Sequence, residues 1–132
     1  MILVVEDHPD TARALCRLLA RIGYRVECAT TADEAWALVR TVKPRLIVLD
    51  QMLPGKPGLE VLRELKNDPE LADVPVLFYS ASYEPATREA AKMLGAADWL
   101  VKGDDDWIRL LGRITDLYPP GAEPPPPAPP QQ

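Results

Sequence analysis

No stretch of the 132 residues approaches the roughly 20 consecutive apolar positions that a bilayer-spanning helix needs. The opening Met-Ile-Leu-Val-Val-Glu-Asp has no basic region and no small-residue cleavage pattern, so it reads as a strand and not as a signal peptide. The expected location is therefore the cytoplasm, with no membrane association. Cysteine is scarce: Cys16 and Cys28 lack metal-ligand spacing and make no disulfide framework, so both are expected to be small buried hydrophobes. A single histidine, His8, cannot build a metal cluster alone. No run of Lys or Arg occurs and the formal net charge is -5, which argues against direct nucleic-acid binding by this chain. The Glu6-Asp7-His8-Pro9 turn lacks the glycines that nucleotide-binding folds of this class place after the first strand.

What is present is a globular pattern. Apolar residues make up 47% of the chain, and its length suits one domain with a core of its own. Five short apolar runs, Ile2–Val5, Arg25–Ala29, Leu46–Leu49, Val76–Tyr79 and Asp98–Val101, alternate with longer amphipathic segments. Leu3-Val4-Val5 and Leu46-Ile47-Val48-Leu49 show no polar alternation, as expected for strands buried on both faces. The first helical stripe is Ala12, Leu15, Leu19 and Ile22, closed by Gly23. The second opens on a capping box, Thr31-Ala32-Asp33-Glu34, buries Ala35, Leu38, Val39 and Val42, and ends by Pro44. A third runs from about Leu59 to Lys66, with Leu59, Leu62 and Leu65 inward. A fourth starts after Pro85 and stops at Gly95. A fifth follows Asp104-Asp105-Asp106 with the stripe Trp107, Ile108, Leu111, Ile114 and Tyr118.

Five strand-helix repeats predict an α/β fold, a doubly wound parallel sheet with helices on both faces. In such folds ligands bind beyond the carboxyl ends of the strands, where strand order reverses. Glu6 and Asp7 follow the first run, Asp50 ends the third, Ser80 ends the fourth and Lys102 ends the fifth. Three carboxylates sharing one pocket repel one another and pay for desolvation, so a hard cation is expected among them, and Mg²⁺ suits oxygen ligands next to a phosphate. A carboxylate can also act as a covalent nucleophile and form an aspartyl phosphate. A lysine and a hydroxyl can then hold the other oxygens of the transferring group.

These residues carry a resemblance. Val4-Val5-Glu6-Asp7, the stretch Leu49-Asp50-Gln51-Met52-Leu53-Pro54-Gly55-Lys56-Pro57-Gly58, Phe78-Tyr79-Ser80-Ala81 and Gly95-Ala96-Ala97-Asp98-Trp99-Leu100-Val101-Lys102 resemble the receiver domain of bacterial two-component response regulators. The resemblance covers residues 1 to about 118 and points to chemotaxis-type single-domain receivers. It implies a flavodoxin-like five-stranded sheet in the order 2-1-3-4-5. Asp50 would accept a phosphoryl group from a histidine kinase or histidine phosphotransfer protein. Asp7, Asp50 and the backbone carbonyl of Met52 would ligate Mg²⁺, with Glu6 acting mainly through metal-bound water. Ser80 and Lys102 would bind phosphoryl oxygens, and small Ala81 would leave room for the group to enter.

Three positions depart from the family's habit. Gly103 stands where a proline usually follows the lysine, which frees the loop before the last helix. Met52 cannot position an attacking water, so slow self-hydrolysis is expected. Trp99 occupies the place of a switch tyrosine or phenylalanine, and its larger ring argues against the usual inward rotamer.

A phosphatase-type enzyme with an Asp nucleophile would want a second acid two residues on, where Met52 stands. A phosphorylation-independent interaction module on the same fold would fit the loss of an acidic, hydroxyl or lysine position, and none is lost. The chain is thus read as no enzyme beyond its own phosphorylation and slow dephosphorylation. Residues 119–132 are Pro-rich, expected to be an extended or disordered tail. With no output domain in this sequence, signalling is expected to pass through a downstream effector protein, and a homodimer is left open.

Overall fold

The structure is a computed structural model that describes residues 1–82, 84–103 and 107–121. Five strands form one parallel sheet: β1 (Ile2–Val5), β2 (Val26–Ala29), β3 (Leu46–Leu49), β4 (Val76–Ser80) and β5 (Asp98–Val101). Five helices connect them or follow: α1 (Pro9–Ile22), α2 (Ala32–Thr41), α3 (Gly58–Asn67), α4 (Pro85–Met93) and α5 (Trp107–Leu117). The strand order is β2-β1-β3-β4-β5, as the resemblance implies. It reverses direction between β1 and β3, which opens a crevice at their carboxyl ends.

Strand burial follows from the absence of alternation. Every residue of β1, β3 and β4 is buried, because helices cover both faces. On one face Leu3, Val5, Ile47 and Phe78 pack with Ala35 of α2, Leu62 and Leu65 of α3 and Ala91 of α4. On the other, Ile2, Val4, Val48 and Leu77 pack with Leu15 and Leu19 of α1 and Leu110 and Ile114 of α5.

Helix ends follow local chemistry. Gly23 closes α1 in the left-handed region at φ 114°, where a side chain would be strained. Thr31 caps α2 by accepting the Glu34 backbone N–H at 3.1 Å. The Glu34 carboxylate reaches back one residue further than a simple capping box, to the Thr30 N–H at 3.0 Å.

Some expectations need correction. Arg25 lies outside β2, and β4 runs on to include Ser80. Val42 lies beyond the end of α2 and is exposed, so it is no core residue. Ile108 is 79% exposed, and Leu110 takes the buried place assigned to it. The period of 3.6 residues explains this: Leu110, Ile114 and Tyr118 repeat every four positions and share a face, while Ile108 points away.

The cysteines are also not buried hydrophobes. Cys16 of α1 and Cys28 of β2 are disulfide-bonded, with Cα atoms 7.0 Å apart. Cys28 is exposed and Cys16 half-buried. Asp104–Asp106 lie outside the described residues, as do residues 122–132 of the Pro-rich segment. Among the described residues, no helix is long and apolar enough to cross a membrane.

Candidate phosphoacceptor site

Strand register decides which side chains meet. Val5 of β1 pairs with Leu49 of β3, so Glu6 and Asp50 step off the sheet at the same level. The Asp50 N–H donates to the Val5 carbonyl at 3.0 Å, which ties the two strand ends together. Leu49 pairs with Phe78, so Ser80 at the end of β4 stands one residue past the level of Asp50. Ser80 pairs with Val101, and the Lys102 N–H donates to the Ser80 carbonyl at 2.8 Å. All five residues read from the strand ends therefore gather at one rim.

Their burial differs, and that difference matters. Glu6, Asp50 and Ser80 are buried, whereas Asp7 is exposed at the pocket mouth. One carboxylate oxygen from each of Glu6, Asp7 and Asp50 lies within 4.8 Å of the others. The Lys102 ammonium donates to Glu6 Oε1 and, at 3.2 Å, to Asp50 Oδ2. Asp50 Oδ1 accepts the Met52 N–H at 3.1 Å, which leaves the Met52 side chain 60% exposed beside the pocket.

Two buried acids side by side divide a proton unequally. Burial, reinforced by the hydrogen bond with Asp50, raises the Glu6 pKa to about 7. For Asp50, burial also pushes upward. Hydrogen bonding with Glu6, with the Met52 N–H and with Ser80, and then the Lys102 charge, outweigh burial and hold its carboxyl below the ordinary range. Burial alone would pull Lys102 down, yet its hydrogen bond to Glu6 and the charge of Asp50 raise it. Asp50 is thus the more acidic member of the pair, with the Lys102 ammonium, its own pKa raised, beside it.

The loop after β3 is held by residues that the pattern of strand ends does not pick out. The Gln51 side-chain oxygen accepts the Leu59 N–H at 2.7 Å, and the Gln51 backbone carbonyl accepts the Gly58 N–H at 3.0 Å. A Cβ on Gly58 would lie 2.4 Å from the Asp50 carbonyl oxygen, so only glycine permits this approach. The signal was the Pro57-Gly58 pair at the helix start, whose purpose is visible only in three dimensions.

Trp99 also differs from expectation. Its ring lies inward, 4% exposed, and its Nε1–H donates to the Ser82 carbonyl at 3.2 Å. The larger ring is accommodated because Phe78 on neighbouring β4 offers a flat face.

The switch-point crevice of this parallel sheet thus holds a carboxylate trio, a hydroxyl and a lysine. Residues 2–111 match the family described as the response regulator receiver domain, and the chain belongs to that family, which serves two-component signalling. It is 30% identical to protein PilH of Pseudomonas aeruginosa over 105 residues, 80% of this chain and 87% of PilH. It is similar to the BeF3-activated receiver domain of Klebsiella pneumoniae RstA, 26% identical with TM-score 0.80, covering 89% of this chain and 97% of that one. It is also similar to the Mn(2+)-bound form of the response regulator Rcp1, 26% identical with TM-score 0.77, covering 95% and 97%. The chain spans only 18–44% of the length of several longer curated relatives that it matches.

Proposed function

We propose that Asp50 is a phosphoacceptor, loaded in a Mg²⁺-dependent reaction by a histidine kinase or histidine phosphotransfer protein, and that the loaded state switches a partner-binding surface. The observation that carries the reading is the pairing at Asp50: a buried carboxylate 3.2 Å from the Lys102 ammonium, inside a trio of acids. An Asp50 oxygen attacks phosphorus as the bond from phosphorus to the donor breaks. Lys102 and the Ser80 hydroxyl stabilise the oxygens of the transferring group.

The residues fit a hard cation. Glu6 Oε2 is buried with no hydrogen-bond partner, an unusual cost unless a ligand is received there. Asp7, Asp50 and the Met52 carbonyl would hold the ion, with Glu6 through water. Bound Mg²⁺ would supply neutralisation of charge on the phosphoryl oxygens. The Mn(2+)-bound and BeF3-activated relatives support this reading.

The unit responsible would be residues 1–118, with 119–132 as a tail. The phosphoryl group adds about -2 charge at the strand ends, which biases the surface of α4, β5 and α5 toward an effector protein. The site would act in the cytoplasm, and its only catalysis would be its own phosphorylation and slow dephosphorylation.

Incubation with acetyl phosphate and Mg²⁺ tests this by intact mass. Wild-type protein should gain one phosphoryl group, and the gain should vanish in Asp50→Asn or with a chelator, while circular dichroism stays unchanged. Labelling that persists in Asp50→Asn would overturn the assignment of the acceptor. A wild-type chain that never labels would favour a phosphorylation-independent interaction module.

A further inference from the structure

We propose that Cys16 and Cys28 form a reversible redox modification site, a dithiol that a small disulfide such as glutathione disulfide oxidises and a thiol reductant reopens. The two residues are the only cysteines in the chain, so within it neither has another partner. They come from different elements, the middle of α1 and the edge strand β2, and are bonded to each other. Cys28 stands two positions after Val26 on β2 and so shares its face, and Cys16 and Val26 pack against the same core cluster, that of α1 and α5.

Access makes the pair exchangeable. A structural disulfide is shielded when its sulfurs lie in the core, but here Cys28 is exposed and Cys16 half-buried. Among the described residues, β2 is the last strand of the sheet and pairs only with β1, so no further strand covers its outer edge. Neither cysteine belongs to the Asp50 site: among the described residues, neither shares a hydrogen bond or ion pair with Glu6, Asp50, Ser80 or Lys102. Oxidation is therefore chemically separable from phosphoryl transfer.

The exchange balances in two steps. One cysteine thiolate attacks a sulfur of glutathione disulfide, forms a mixed disulfide and releases one glutathione thiolate. The second cysteine, deprotonated, attacks the protein-side sulfur of that mixed disulfide, closes the Cys16–Cys28 bond and releases the second glutathione. Two protein thiols are oxidised and one glutathione disulfide is reduced. The closed form ties α1 to β2 across 12 positions of sequence and limits the unfolded chain. Compartments that keep thiols reduced hold such a pair open, so its state follows the surrounding redox poise.

The test is a titration of the full chain against defined mixtures of reduced and oxidised glutathione, quenched with a mass-tagged maleimide. The expected result is a cooperative loss of both tags together, in monomeric protein, restored by dithiothreitol, and a higher thermal midpoint for the oxidised form. Cys16→Ser and Cys28→Ser should each stop at a single glutathione adduct and show no redox-dependent midpoint. Retention of both tags at every ratio, a wild-type product that stops as a glutathione adduct, or disulfide-linked dimers would each overturn the proposal. The wild-type titration decides the matter even if a serine variant fails to fold.

Discussion

Trp99 lies flat on Phe78, with ring centroids 4.5 Å apart and planes 8° from parallel. The contact joins neighbouring strands β4 and β5, whose register sets the two residues opposite each other. The indole N–H to the Ser82 carbonyl adds a polar tether. The Ser82 N–H in turn donates to the Ser80 hydroxyl at 3.3 Å, so the inward ring is two hydrogen bonds from the candidate phosphoryl pocket.

Two substitutions separate the ring from the tether. Trp99→Phe keeps an aromatic face against Phe78 but deletes the donor, and should cost about 1 kcal/mol. Trp99→Ala opens a cavity in the core and should cost about 3–5 kcal/mol. Urea denaturation measures both. Equal losses in the two variants would mean that the stacked ring contributes nothing of its own.

Gly58 offers a second test, because its close approach to the Asp50 carbonyl leaves no room for a methyl group. Gly58→Ala must push the loop after β3 outward, at a cost of about 1–3 kcal/mol from overpacking. The displaced Asp50 should also label more slowly with acetyl phosphate. A variant with wild-type stability and labelling rate would show that the loop yields freely.

Met52, two residues after the proposed acceptor Asp50, is exposed and has no polar side-chain group to orient water. Met52→Asn or Met52→Glu should shorten the lifetime of the phosphorylated protein severalfold, followed by loss of the phosphoryl mass after removal of the donor. An unchanged lifetime would assign no part in hydrolysis to this side chain.

Alkaline pH probes the opposite end of the sheet. The buried Tyr24 hydroxyl donates to the Tyr118 carbonyl at 2.5 Å, and burial raises its pKa above the ordinary 10. A folded-state pKa above the unfolded one means that the contribution is fully present below pH 10 and lost as pH rises through the folded value. Urea midpoints should therefore fall above pH 10 in the wild type. Tyr24→Phe should start about 1 kcal/mol lower and show a shallower fall. Identical slopes in the two proteins would remove Tyr24 as the titrating group.

Much of this site is legible in a chain without coordinates, for a definite reason. A parallel sheet puts every strand's carboxyl end on one rim, so a polar residue directly after an apolar run already has an address. Glu6, Asp50, Ser80 and Lys102 obey that rule, and Asp7 follows one position after Glu6. Strand burial was equally plain, since two-sided covering demands unbroken apolar runs such as Leu46–Leu49.

Features made by a meeting of distant segments were hidden. Sequence determined the order of elements, the apolar faces and the identity of the polar rim, because these depend on local periodicity and on adjacency along the chain. Tertiary structure decided that Asp50 is the more acidic partner and Glu6 the less acidic one, because hydrogen bonds from the Met52 N–H and Ser80 reach Asp50 alone while both carboxyls are buried. It decided that Trp99 turns inward, because Phe78 supplies the face and Ser82 the acceptor. It also brought Cys16 to Cys28, a pairing that neither spacing nor composition foretells, because only the packing of α1 against β2 places the two sulfurs together.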